Sequence, residues 1–298
     1  MASAHPLLSR TMTLVPMPLK QLPWRIKWMR STSAFAAAPV RTSIKLAHWT
    51  AMEIFSKRLE FRARNFSFVT MPNNFCGLWS FVGDEFETDL LEFVDRTVKP
   101  GDVFVDVGAN IGIYSVHASV AAGPDGKVIS FEAHPLTAQV FRENVVLNAA
   151  TNITLINAAV GAESGTLEML YGRGDSGSTH VAVNADRSTV SVPVVTLDDN
   201  LAEMGISRVD YLKIDVEGFE PFVLRGARAT IAANPGMTIQ TEIDRRHLAR
   251  YGLSPGDVFD LLREMGLTPH KVSSDGSLAA IDHADYGDVI WRGAAVAA

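Results

Sequence analysis

The residues best placed to do chemistry sit where apolar runs give way to turns. Val103-Phe104-Val105-Asp106-Val107 leads into Gly108-Ala109-Asn110-Ile111-Gly112, and an apolar stretch from Ile113 to Val120 follows. The run reads as a buried strand, the glycines as a bend that lets backbone approach a ligand, and the stretch after it as a helix with unpartnered first N–H groups. A polar ligand belongs there. Dinucleotide sites use G-x-G-x-x-G and seat a pyrophosphate on the helix start. Here the spacing is Gly108-x-Asn110-x-Gly112. The Asp106 carboxylate repels phosphate and attracts the ammonium or sulfonium of S-adenosylmethionine. Glu132, 26 residues after Asp106, ends a second apolar run and can accept both hydroxyls of a ribose. That separation fits strand, crossover helix and strand, so both acids leave the sheet at one edge.

A second acidic turn follows a later run. Tyr211-Leu212-Lys213-Ile214 precedes Asp215-Val216-Glu217-Gly218, and a helical stretch from Pro221 to Ile231 comes next. Open parallel sheets bind ligands at the carboxyl ends of their strands, so Asp215 and Glu217 should face a cleft. General base, metal ligand and helix cap are all open roles for these two acids. Nothing in the sequence fixes the role of Lys213.

Asp106 to Gly112, Phe131-Glu132, Asn157-Ala158-Ala159-Val160-Gly161, Thr196-Leu197-Asp198-Asp199, Lys213 to Gly218 and Glu242 stand in this order from about Pro100 to Leu267. In order and spacing they resemble the FkbM family of methyltransferases. The resemblance implies a Rossmann-like class I methyltransferase fold, S-adenosylmethionine as cofactor, and O-methylation of a hydroxyl on a sugar, glycolipid or natural product. It also implies that Gly108 and Asn110, beside Asp106 and Gly112, hold the methionine end of the cofactor. Glu132 would hold the ribose, and Ala158 or Ala159 would wall the adenine. Asp215, Glu217 and Glu242 are the candidates for taking the acceptor's proton; no metal site is assigned, although a divalent ion such as Mg²⁺ shared by these acids is an alternative activator. After the ribose acid the family often has Pro, whereas here Ala133-His134-Pro135 follows Glu132. His134 reads as a capping or surface residue, with stacking near adenine as the other option. The N-P-P-Y or D-P-P-Y turn expected of an amino-methyltransferase acting on bases is replaced by Asp215-Val216-Glu217-Gly218.

The elements that must position these residues follow from periodicity. Apolar runs at Val103–Val107, Val128–Phe131, Ile153–Ile156, Tyr211–Ile214 and Met237–Ile239, separated by helical stretches, predict an α/β domain with a mostly parallel twisted sheet and helices on both faces. Thr166–Leu170 and Thr189–Val195 alternate around the Gly- and Ser-rich 172–178 and predict an inserted β-hairpin. A helix over Pro255–Met265 and strands near His270–Val272 and Asp288–Trp291 should close the sheet edge. Helices are expected over Leu46–Arg64 and over Asp84–Val98, the latter stopped by Pro100-Gly101. Residues 1–45, rich in Pro, Ser, Arg and Ala, show no sustained helical period and read as a flexible or leader-like extension. The expected division is thus 1–45 extension, 46–99 helical region packing on the core, and 100–298 cofactor-binding domain.

Charge narrows the partners. Residues 1–52 carry seven Lys or Arg and no acid, which leaves 20 basic against 33 acidic residues, a net of −13, in the remainder. Long-range attraction to nucleic acid works against so acidic a body, and a small-molecule or glycan hydroxyl is the expected acceptor. Trp24 and Trp28 among cations offer a weak membrane-surface contact. The single cysteine, Cys76, fits a reducing cytoplasm; nothing in the sequence addresses oligomeric state. Two other readings stay open: a nicotinamide-dependent oxidoreductase on a Rossmann fold, and a non-catalytic, membrane-directed binding protein.

Overall fold

The computed structural model describes residues 17–84, 86–170, 189–273 and 275–293. Among them the strands are β1 (Leu59–Ala63), β2 (Phe66–Thr70), β3 (Val103–Val107), β4 (Lys127–Phe131), β5 (Ile153–Ile156), β6 (Ala159–Val160), β7 (Gly165–Leu170), β8 (Thr189–Val195), β9 (Tyr211–Ile214), β10 (Thr238–Asp244), β11 (Leu267–Val272), β12 (Leu278–Ala280) and β13 (Tyr286–Gly293). Eight of them form one sheet in the order β5-β4-β3-β9-β10-β13-β11-β12. The five strands from β5 to β10 are mutually parallel, as their apolar runs predict. Their registers are level at the carboxyl end: Val107 lies beside Phe131 and Ile214, and Phe131 beside Ile156. Because the chain leaves β3 toward β4 and later returns to β9 on β3's other side, a cleft opens at the carboxyl ends of β3 and β9.

The last strands correct an expectation. They do not both close the edge: β13 inserts between β10 and β11, antiparallel to each, and β12 forms the edge. Val289, Ile290 and Trp291 are buried whichever way they point, the signature of an interior strand. The predicted hairpin is present as β7 and β8, antiparallel, with the two-residue β6 beside β8; its connection, 171–188, lies outside the described residues.

Alternation along β3 sets which residues meet which face. Val105 and Val107 join Ile129, Leu212 and Ile239 in one apolar cluster. Phe104 joins Val128, Tyr211 and residues of the helices Thr88–Thr97 and Ile113–Ala122 in another. Asp106 therefore points beneath the helix Ile113–Ala122.

The N-terminal third departs most from its sequence reading. Residues read as an extension without helical period form helices Met17–Arg30 and Ser33–Ala37 and the first part of Pro39–Ile54. Pro23 inside the first helix breaks the expected pattern. The helix expected to reach Arg64 ends at Ile54, and Leu59–Ala63 alternates buried and exposed as a strand paired with β2. The helix expected from Asp84 begins at Thr88. Met29, Leu46, Trp49, Met52, Leu59, Leu78 and Val82 bury together as a third cluster. Phe75–Leu78 continues as a π-helical turn, Trp79–Gly83, a form frequent at functional sites.

Candidate active site

The glycine bend is held by its own neighbours. Gly108 has φ +84, and a Cβ there would lie 1.9 Å from the carbonyl oxygen of Asp215, so the turns after β3 and β9 touch through the missing side chain. Gly112, φ +89, starts the helix Ile113–Ala122, and a Cβ there would strike the Phe141 ring. Gly112 shapes the bend without lining the cavity. Asn110 adopts φ +52, and its backbone N–H donates to Glu132 Oε2 at 2.9 Å, while the His134 N–H donates to Glu132 Oε1 at 2.8 Å. Asn157 Nδ2 donates to the carbonyls of Glu132 and Ala133 at 2.7 and 3.0 Å and so fixes the approach to Ala158.

These turns enclose a cavity of about 620 Å³ lined by Asp106, Gly108, Asn110, Glu132, Ala158 and Ala159 on one side and by Asp215, Glu217, Glu242 and His247 on the other. The acids expected to hold the cofactor or take the acceptor's proton meet there, whereas Asp198 of the Thr196–Asp199 motif instead accepts the Ala229 and Thr230 N–H groups. Asp106 is fully buried; its Oδ2 accepts from Ser115 Oγ at 2.6 Å, and its Oδ1 has no hydrogen-bond partner. Burial raises its carboxyl above the ordinary range, against the pull of Lys213 and the Ser115 hydroxyl. Burial likewise pushes Glu132 up to about 7, although the His134 and Asn110 N–H groups favour its charged form.

Lys213 is also buried, in lateral register with Asp106 and Gln240. Its Nζ lies 2.9 Å from Asp215 Oδ2 and 4.6 Å from the Tyr114 ring centre. Burial works to lower its pKa, but Asp215, Asp106 and Glu87 outweigh that and hold the ammonium charged. Lys213 thus neutralises two of the acids behind the cleft.

The opposite wall is a carboxylate–imidazole cluster. Glu217 stands at φ +58, a strained conformation for a residue other than glycine. His247 Nδ1 lies 2.8 Å from Glu217 Oε2 and 3.8 Å from Glu242 Oε2, its Nε2 lies 3.7 Å from Asp244 Oδ2, and Arg250 Nη1 lies 3.6 Å from Glu217 Oε2. Burial opposes charge on His247, yet Glu217 and Glu242 raise it to about 10. Burial, followed by the Asp215 charge, raises Glu242 to about 8. The helix Glu220–Arg225 has no side-chain cap, so neither Asp215 nor Glu217 takes the capping role left open for them; Glu220 Oε1 instead braces the turn by accepting the N–H groups of Val216 and Gly218, each at 3.1 Å. His134 caps the helix Pro135–Leu147 by accepting from the Thr137 N–H at 3.4 Å.

Sequence reasoning missed His247 and Arg250, which reach the cleft only because the helix Arg245–Ala249 folds over Gly218, where a Cβ would meet the His247 carbonyl carbon at 2.4 Å. It also missed the N-terminal contribution: Trp24, Phe75, Cys76, Trp79 and Glu87 line the same cavity. Trp24 and Trp28, the residues read as a membrane-surface contact, pack on the same region: Trp24 stays partly exposed and lies on Phe75 with ring centres 5.9 Å apart, and Trp28 stacks on Trp79 at 6.1 Å. Among the described residues no group of three or more His, Cys, Asp or Glu is arranged to hold a metal ion, and no helix is long and apolar enough to cross a membrane.

A mostly parallel sheet with a reversed order at β3, an antiparallel β13 between β10 and β11, and an acid-flanked glycine bend at the switch point are the fold of the class I S-adenosylmethionine-dependent methyltransferases. Residues 106–267 match the model of the methyltransferase FkbM domain, more than half of the chain, and the chain belongs to that family. It is 28% identical over 178 residues to methyltransferase sdnD of Sordaria araneosa, covering 49% of this chain and 68% of the relative. It is 32% identical over 160 residues to the 31-O-demethyl-FK506 methyltransferase FkbM of Streptomyces tacrolimicus, 43% of this chain and 60% of the relative. With the 2-O-methyltransferase NoeI of Sinorhizobium fredii the identity is 26% over 204 residues, 62% and 82% of the two chains. The match thus spans less than two thirds of the FK506 enzyme.

Proposed function

We propose that this protein methylates a hydroxyl oxygen of a small-molecule or glycan acceptor, with the cofactor on the Asp106–Glu132 side of the cavity and the acceptor against Glu217, Glu242 and His247. The observation that carries the reading is the division of one cavity between a glycine bend with flanking acids and a carboxylate–imidazole cluster. Two relatives are named as O-methyltransferases or by an O-demethyl substrate, which supports oxygen as the acceptor atom.

The cofactor side fits the group. The unpartnered Oδ1 of Asp106 offers a buried acceptor, Glu132 keeps lone pairs for ribose hydroxyls beyond the two N–H bonds it accepts, and the Ala158 and Ala159 side chains leave room for a flat ring. When bound, S-adenosylmethionine supplies a methyl group on positively charged sulfur. The acceptor O–H must lose its proton as the oxygen–carbon bond forms and the sulfur–carbon bond breaks. Glu242, whose pKa burial and the Asp215 charge lift to about 8, takes that proton in its ionised form and becomes the neutral acid, while His247, charged between Glu217, Glu242 and Asp244, keeps the carboxylates in place.

Methyl transfer from radiolabelled S-adenosylmethionine to a panel of glycosides, hexuronic acids and hydroxylated macrolides tests this. Glu242→Gln is expected to lower kcat by about 100-fold, the lower end of general-base effects. Its affinity for S-adenosylhomocysteine should stay close to that of the unaltered protein. Methylation of amines but of no hydroxyl, or full turnover in E242Q, would sink the proposal.

A further inference from the structure

The bend that carries the cofactor site is clamped from outside the family match. Asn74 is completely buried in the segment between β2 and the helix Phe75–Leu78. Its Oδ1 caps that helix by accepting from the Gly77 N–H at 2.7 Å, and its Nδ2 donates to Asn110 Oδ1 at 2.8 Å. The other end of the same Asn110 amide donates to Cys76 Sγ at 3.3 Å. Both ends of the Asn110 side chain, expected to face the cofactor, are thereby committed to residues 74 and 76. What reaches Glu132 is the Asn110 backbone N–H, presented by a left-handed conformation that Asn tolerates better than most residues.

Residue 74 is fixed in turn from further away. The Asn73 N–H donates to Glu53 Oε1 at 3.1 Å, and Glu53 Oε1 also accepts from Arg25 Nη2 at 3.0 Å, with Arg25 and Glu53 both buried. A continuous run of polar contacts leads from the helix Met17–Arg30 through Glu53 and Asn74 to the glycine bend and Glu132. Buried polar contacts of this kind favour one arrangement, because breaking any of them strands a polar group.

We infer that Asn74, with Cys76, is a positioning residue for cofactor binding: it locks Asn110 in the left-handed conformation that aims its N–H at Glu132, so that residues 17–84 complete the cofactor half-site. The inference rests on the cofactor reading proposed above. The test is calorimetric titration with S-adenosylhomocysteine. Asn74→Ser keeps a capping oxygen, since Ser is as good an N-cap as Asn, but its side chain is too short to reach Asn110. The expected result is at least a tenfold loss of affinity, together with a fall of a few degrees in the thermal midpoint from the stranded Asn110 Oδ1. Two further readouts separate positioning from plain destabilisation. The penalties of N74S and Asn110→Ala should not add, because both break one contact. The pH midpoint of binding should also move upward in N74S, because the Asn110 N–H favours ionised Glu132. Wild-type affinity in N74S, or additive penalties, overturns the inference. Should N74S fail to fold, Cys76→Ala removes the other anchor and leaves the cap intact; unchanged affinity there overturns it equally. No binding by the unaltered protein would instead remove the cofactor reading on which it stands.

Discussion

Glu132 shows how one side chain serves both the fold and the ligand. Its two oxygens accept N–H groups from Asn110 and His134, which ties the bend after β3 to the turn after β4, and burial holds its pKa near 7. Ribose hydroxyls donate, so they favour the carboxylate, whose share grows as the pH rises through 7. S-adenosylhomocysteine affinity should therefore increase between about pH 6 and about pH 8, and Glu132→Gln should flatten that rise while weakening binding. A pH-independent affinity in the unaltered protein would count against ribose recognition by Glu132. The motif made this acid legible in the sequence. Its bracing role was not, because the partners are backbone groups 22 residues before it and two after.

At the scale of elements, the site depends on how closely two turns approach. The carbonyl of Asp215 lies where a Cβ on Gly108 would be, and Gly108 also has positive φ. Gly108→Ala should cost about 2 kcal/mol or more in stability, from strain and a forced shift of backbone. It should abolish S-adenosylhomocysteine binding as the turns after β3 and β9 part. Chemical denaturation and calorimetry check both, and a stable, binding-competent G108A would show that the turns need not touch. The strands β3, β4 and β9 were readable because parallel sheet interiors need mostly apolar runs. The place of β13 was not, since an apolar run gives burial but not neighbours. The helix Met17–Arg30 was hidden because it buries Arg25 and carries Pro23.

Across the whole molecule, three acids that line the cavity share one sign of pH dependence. Burial raises Glu87 to about 8, Glu132 to about 7 and Glu242 to about 8, all from 4.5. The folded protein therefore keeps protons that the unfolded chain releases from pH 4.5 upward. This part of its stability is full below that pH and is lost as the pH rises through 7 to 8. His247, raised from 6.5 to about 10, adds a loss of the same sign above pH 6.5. The thermal midpoint without ligand should fall by about 5 °C between about pH 5.5 and about pH 8.5, the shift of roughly 2 kcal/mol in a chain of this size. A midpoint that rises over that interval would mean that these acids are ionised in the fold.

The sequence by itself determined the sheet, the bend and the acids at its carboxyl edge, because burial, turn chemistry and strand spacing are local consequences of residue type. Only the tertiary structure decided that Lys213 lies buried behind Asp106 and Asp215, that His247 crosses to Glu217 and Glu242, and that Asn74 grips the bend from 36 residues away. Those pairings join segments distant in the chain, and no periodicity within a segment encodes which partner the fold will bring to it.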